Sequence, residues 1–277
     1  YHDAPIATIS YFVHSMISET ISNNGFKVSV SGTSADELFT GYYDHFLLHL
    51  NEMRSSDEYN NNLKDWSRDI RPHIRNTDLR SPNLYHQKPS FRDHIFDASN
   101  QINEYFLEPF KEEYTEEYFT GNFLRNRMFN ELFHEITPVI LHEDDLNSMF
   151  YSIENRSPYL DRNLQNFAYS IPAKHLIKNG FGKHVLREAL KGTLNDQVRL
   201  DKQKKGFNAS INSIINLNDP EVRNYILDES SEIFQIVDIK KISKIINNQF
   251  NENHLSKFIF NILNSKIFLE HNSSNGN

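Results

Sequence analysis

No cysteine occurs anywhere in the 277 residues, which excludes disulfides, thiolate catalysis and Cys-ligated zinc. Glycine is sparse: there are nine, no two adjacent, and no G-x-G-x-x-G. Gly182-Lys183 is followed by His184 rather than Ser or Thr, with no earlier glycine at the right spacing, so no Walker loop is present. No run of about 18 apolar residues is available to span a bilayer, and no charged-then-apolar leader opens the chain. A basic excess is also missing. The net charge of −8 argues against a general nucleic-acid binder. What remains, 38% hydrophobic and 24% charged residues, suits a globular protein with ample core in one large or two modest domains. A soluble cytoplasmic protein is the expectation, and the glycosylation patterns at Asn155 and Asn208 carry little weight without a secretory route.

The chain is organised around Ser31-Gly32-Thr33-Ser34-Ala35-Asp36-Glu37-Leu38-Phe39. Before it, Phe26 to Val30 reads as a short buried strand, with β-branched residues at alternating apolar positions. After it, Leu38, Phe39, Tyr42, Tyr43, Phe46, Leu47 and Leu50 recur at helical spacing. A strand, a small-residue turn and a helix N-terminus aim backbone N–H groups at one spot, which suits an anion such as a phosphate. Asp36, in the first helical turn, fits either a helix cap or a ligand for a divalent cation.

Upstream, Ile6 to Asn23 carries an amphipathic helical pattern that Asn23-Asn24-Gly25 ends. Helix–strand–helix at this length reads as part of an α/β layer, and the other strands of its sheet are expected before Tyr1. From Ser55 to about Pro109 the chain turns polar and aromatic, with repeated prolines, and reads as short helices and loops. Residues Glu112 to Glu135 suit one or two helices, with Tyr118, Phe119, Phe123, Leu124, Met128, Leu132 and Phe133 on a core face. His142 with Glu143, Asp144 and Asp145 can be drawn as a metal cluster, although caps and surface charge are the commoner use of such a run. Between Lys183 and Lys205 seven Lys or Arg face three Asp or Glu, a basic excess suited to a solvated face or to polyphosphate. Beyond Asn208 the pattern is helical, with Ile242, Ile245, Ile246, Phe258, Ile259 and Ile262 in period, and residues 272–277 read as a disordered tail.

Four stretches, in order, add a resemblance. Ser31-Gly32-x-x-x-Asp36-Glu37-Leu38-Phe39-x-Gly41-Tyr42 resembles the S-G-x-G-x-D-E-x-F-x-G-Y motif of the asparagine synthetase family. Asn147-Ser148-Met149 and Glu154-x-Arg156-x-Pro158-Tyr159-Leu160-Asp161 resemble its N-S-M and E-x-R-x-P-F-L-D stretches. Lys183-x-x-Leu186-Arg187 and Gln203-Lys204-Lys205-Gly206-Phe207 resemble its K-x-x-L-R and Q-K-x-G-F segments. The resemblance implies an α/β fold: a partial PP-loop ATPase layer, of the adenine-nucleotide alpha-hydrolase kind, at residues 1–54 and a mainly helical part at 55–271. It also implies a carbon–nitrogen ligase with ATP and Mg²⁺ as cofactors. A carboxylate, by default aspartate, would be adenylated and then attacked by ammonia from a glutaminase domain upstream. Ser31 and Gly32 would present backbone groups to the nucleotide, Asp36 would ligate Mg²⁺, and Lys204 would meet the phosphates. Glu154 matches a carboxylate near the reacting centre, suited to proton transfer from the incoming amine or else to pairing with Arg156. The resemblance allows a homodimer and calls for neither nucleic acid nor membrane.

The chain departs from the family pattern at several points. Thr33 stands where relatives usually carry an acid, and Leu146 where many carry Arg. Both point to a divergent branch acting on another carboxylate, such as a sugar acid or a specialised metabolite. The S-G-G-x-D-S loop is absent, the only Ser-Gly pair being Ser31-Gly32. The expectation is a C-terminal fragment of a longer protein that makes no amide bonds alone. From a different class, a non-catalytic binding module on the same scaffold is the competing reading.

Overall fold

The computed structural model describes residues 1–95, 102–110, 114–207, 209–248, 250 and 252–275. Among them the chain is mostly helical with one small parallel sheet, consistent with the α/β class. Helix α1 (Ile9–Asn23) begins where the Thr8 hydroxyl accepts from the Ser10 N–H, and ends at Asn24, before Gly25 at a φ of +81°. Strand β1 (Val28–Val30) then lies parallel to β2 (Glu154–Arg156), Val28 opposite Glu154 and Val30 opposite Arg156.

Two sequence expectations change here. The strand is not buried: Phe26, Val28 and Val30 share one side of it, and Val30 is 70% exposed. An apolar strand is covered only where another layer packs on it. Among the described residues β1 has only β2 as a sheet neighbour. The helix expected from Leu38 to Leu50 is also broken in two, α2 (Ala35–Phe39) and α3 (Tyr43–Glu52). Thr40 takes a φ of 73°, outside the helical region, and turns the chain between them. The apolar spacing survives the break, since Leu38, Phe39, Phe46, Leu47 and Leu50 all enter one core. Trp66 of α4 (Tyr59–Asp69) and Leu124 and Met128 of α5 (Phe123–Asn130) join it. On the expected face between Glu112 and Glu135, Leu124, Met128 and Leu132 are buried, whereas Tyr118, Phe119 and Phe133 are exposed. Glu112 and Glu113 lie outside the described residues.

Helix α6 (Thr137–Phe150) packs along α1 and explains the acidic run. Glu143 Oε1 accepts the Ala7 N–H at 3.1 Å, Asp144 Oδ1 meets His14 Nδ1 at 2.7 Å, and the Asn147 amide donates to the Tyr11 carbonyl at 3.0 Å. Glu143 and Asp144 therefore fasten the first helix rather than gather a metal. Asp161 caps α7 (Arg162–Ser170), accepting the N–H groups of Asn163 and Leu164 at 2.9 Å each. Lys183 and Gly182 precede α8 (His184–Ala189).

A second core forms around α9 (Ile239–Asn247), where Asp238 caps the first turn and Ile242, Ile245 and Ile246 face inward. Ile259 and Ile262 of α10 (Asn253–Asn275) complete it, together with Ile9 of α1. Helix α10 runs to Asn275, through most of the expected tail, and residues 276–277 lie outside the described residues. No helix among the described residues is long and apolar enough to cross a membrane.

Beneath α2 and α3 sits a buried charge network centred on Arg127 of α5. Its guanidinium donates to Glu131 Oε1 at 2.9 Å, Glu116 Oε1 at 2.8 Å and Glu135 Oε1 at 2.7 Å, and lies 3.6 Å from Asp44 Oδ2. Burial alone would raise the Asp44 carboxyl, but the hydrogen bond from His94 and the charge of Arg127 outweigh it and hold it far below its usual range. Arg127→Met would strand several buried carboxylates without their cation. It is expected to cost about 3–5 kcal/mol of stability, read as a lowered urea midpoint with an unchanged slope.

Candidate functional site

At the C-terminal ends of the two strands, the Ser31 N–H donates to the Arg156 carbonyl at 2.8 Å. Three hydroxyls line up there: Ser31 Oγ lies 3.0 Å from Thr33 Oγ1 and 3.1 Å from Ser157 Oγ. The turn then passes through Ser34, where the resembling motif has glycine. Ser34 accordingly sits in the left-handed region at a φ of 72°. Its buried hydroxyl bonds that of Thr137 at 2.9 Å, a fixed contact that offsets the strain.

Asp36 does not cap α2. Its Oδ1 takes the ammonium of Lys183 and its Oδ2 that of Lys204, two residues brought from far along the chain. Burial by itself would raise this carboxyl; the two lysines outweigh it and hold the group below its usual value of 3.8. The five-residue α2 is too short to act as an anion-binding helix terminus, so the lysines supply the positive charge.

Each partner of Asp36 is positioned by the fold. The Lys183 N–H donates to the Phe39 carbonyl and to Thr40 Oγ1, both at 3.2 Å, and the residue adopts a φ of 56°. Non-glycine residues in this region cost of order 1–3 kcal/mol each, so Ser34, Thr40 and Lys183 concentrate strain around one spot. Lys204 places its ammonium over the Tyr42 ring, 4.6 Å from the centroid. The Tyr42 hydroxyl donates to Glu37 Oε1 at 2.5 Å, and burial pushes the Glu37 carboxyl up. Gly41 leaves room for the arrangement: a Cβ there would fall 1.9 Å from Asp36 Oδ1. Its N–H donates to His45 Nδ1 at 3.2 Å, which leaves the His45 proton on Nε2, facing Glu131 Oε2 at 2.8 Å. The turn is thereby tied to the Arg127 network.

These groups open on a cleft of about 650 Å³. Gly32, Asp36, Lys183 and Lys204 are among its lining residues, together with the apolar Leu186, Leu190 and Val198. Much of the basic excess at 183–205 is structural. Arg187 donates to the Gly182 carbonyl at 2.9 Å and stacks on Phe181, while Lys202 pairs with Asp69 and Lys205 with Asp201.

Of the residues singled out in the sequence, Gly32, Asp36 and Lys204 thus meet at one cleft, with Ser31 just behind it. Glu154 stands on β2, exposed and paired with Arg156 at 2.9 Å, outside the cleft lining. Sequence reasoning gave Lys183 no role, although it opens the K-x-x-L-R segment and begins the basic excess. Gly41 was likewise visible only as a motif letter. Among the described residues, Asp44, His45 and Glu131 are grouped closely enough to hold a metal, but the Arg127 guanidinium already bonds this group.

A carboxylate flanked by two lysines lies just past the carboxyl ends of two parallel strands and beside a strained turn, a charge arrangement chemically suited to anionic groups. The family model of asparagine synthase matches residues 1–269, and the chain belongs to that family of ATP-dependent, amide-forming synthetases. No curated protein matches the chain.

Two outcomes follow from the geometry of Asp36. Its carboxyl is lowered, so the stability it lends is full above its usual value of 3.8 and fades as pH falls through the lowered one. The stability difference between wild type and Asp36→Asn, measured by urea unfolding, should therefore be constant near neutrality and shrink in acid. Gly41→Ala should evict Asp36 from between the lysines and lower stability by about 1–3 kcal/mol, as overpacking does. A crystal structure of that variant would show Asp36 Oδ1 away from Lys183.

Proposed function

We propose that the chain carries the synthetase half-site of an amidotransferase that activates a carboxylate with ATP. The observation that supports this most is Asp36, set between Lys183 and Lys204 in the lining of the cleft. The donor set suits a magnesium polyphosphate. Mg²⁺ is commonly held by one or two carboxylates plus substrate phosphates, and lysines serve as point charges for those phosphates. When bound, Mg²⁺ would neutralise charge on the phosphate oxygens. Asp36 would hold it, Lys204 and Lys183 would take the leaving pyrophosphate, and Gly32 would offer its backbone to the nucleotide.

A carboxylate is a poor electrophile, and adenylation supplies a leaving group. A substrate oxygen attacks the α-phosphorus and pyrophosphate departs; ammonia then attacks the carbonyl carbon, loses a proton and expels AMP. Aspartate is the default substrate, giving asparagine. A second reading, another carboxylate, is favoured by the hydroxyl cluster of Ser31, Thr33 and Ser157, which puts no acid at the turn. Proton removal then falls to Glu154, once released from Arg156, or to the substrate. The exposed apolar side of β1 supports a longer parent protein, in which further strands carry the ATP loop and an upstream glutaminase supplies ammonia in the cytoplasm.

The test is carboxylate-dependent ATP–pyrophosphate exchange by the full-length protein, run across aspartate and other carboxylates. Asp36→Ala and Lys204→Ala are each expected to abolish exchange. Wild-type exchange rates in both variants would remove the site assignment, and absence of exchange with every carboxylate would favour the binding module.

A further inference from the structure

The resting partners of Asp36 carry a consequence for the order in which ligands enter. Both carboxylate oxygens are occupied, Oδ1 by Lys183 and Oδ2 by Lys204. One negative charge is thus shared between two positive ones, and the cluster has a surplus of positive charge. A divalent cation arriving alone would meet two ammonium groups on the carboxylate they share, and would have to displace at least one. A polyphosphate arriving alone would find the lysines already paired. The two together exchange partners without loss: the phosphates take the lysines, and the freed carboxylate takes the metal.

The geometry points to an ionic latch in which Lys183 and Lys204 close Asp36 to free divalent cations, so that metal and polyphosphate bind cooperatively. This rests on the nucleotide reading above and adds the rule of entry. The two lysines are held by different parts of the fold. Lys183 is pinned through its backbone N–H to Phe39 and Thr40. Lys204 follows Gln203, whose N–H is held by Asp201 Oδ1 at 2.9 Å, and its ammonium rests on Asp36 and over the Tyr42 ring at once. Gly41 sets the latch by leaving the carboxylate where both can reach it.

The experiment is Mn²⁺ binding to the full-length protein by electron paramagnetic resonance, with and without inorganic pyrophosphate. The binding to count is the part that Asp36→Asn removes. That part is expected to tighten at least about tenfold with saturating pyrophosphate, and Mn²⁺ should tighten pyrophosphate by the same factor, because coupling is reciprocal. Lys204→Met should strengthen binding of Mn²⁺ alone and erase most of the gain, with a circular dichroism spectrum like the wild type's as the check on folding. Equal wild-type affinity for Mn²⁺ with and without pyrophosphate would overturn the latch, as would unchanged coupling in Lys204→Met and in Lys183→Met. If Asp36→Asn alters neither Mn²⁺ nor pyrophosphate binding, the nucleotide reading itself falls. If Asp36→Asn removes binding but the lysine variants change nothing, only the latch does.

Discussion

The bond of one aspartate to two lysines holds the functional end of the molecule together. Asp36 lies 147 residues from Lys183 and 168 from Lys204, and its carboxylate closes both loops at one point. Pairing of this kind depends on desolvation: the charges strengthen one another as water is withdrawn, and an unpaired member would be costly. The surrounding backbone accepts strain to achieve it. Ser34, Thr40 and Lys183 all take positive φ, and at Gly41 a Cβ would collide with the Asp36 carboxylate.

That arrangement stands on a second layer of charge. Arg127 gathers Glu116, Glu131 and Glu135, and Glu131 reaches through His45 to the N–H of Gly41. The turn that aims Asp36 is thus fixed from below by hydrogen bonds whose members are nearly all buried. A densely bonded polar network of this sort favours a single geometry over its neighbours, which a site that must meet a charged ligand requires. The bond of Arg127 to Glu131 likewise makes Asp44, His45 and Glu131, although close together, better understood as support than as ligands.

Regular structure was largely legible in the chain. The apolar period of Ile242, Ile245 and Ile246 specifies an amphipathic helix from local chemistry alone, and α1 was readable in the same way. Two readings failed for a shared reason. The strand at Val28–Val30 looked buried because its residues are apolar, but burial is conferred by a covering layer. The run from Leu38 to Leu50 looked continuous because its spacing is helical, yet Thr40 and Gly41 break it without disturbing which residues face the core. Of the site, Gly32, Asp36 and Lys204 were recoverable through motif resemblance. Glu154 was recoverable as a motif residue, but the structure leaves it on an exposed strand beside Arg156.

By itself, then, the sequence determined helices such as α1 and α9, the strand–turn–helix at Ser31 to Phe39 and membership of the asparagine synthase family, since each is written in neighbouring residues or in ordered short motifs. Only the tertiary structure decided what Asp36 does at rest. A charged side chain takes its partner from whatever the fold brings within a few ångströms, and no periodicity along the chain encodes a pairing between residue 36 and residues 183 and 204. The same holds for the acids of α6, which in the sequence suited caps or surface charge more than a metal and whose partners, His14 of α1 and the N–H of Ala7 just before it, come from the fold.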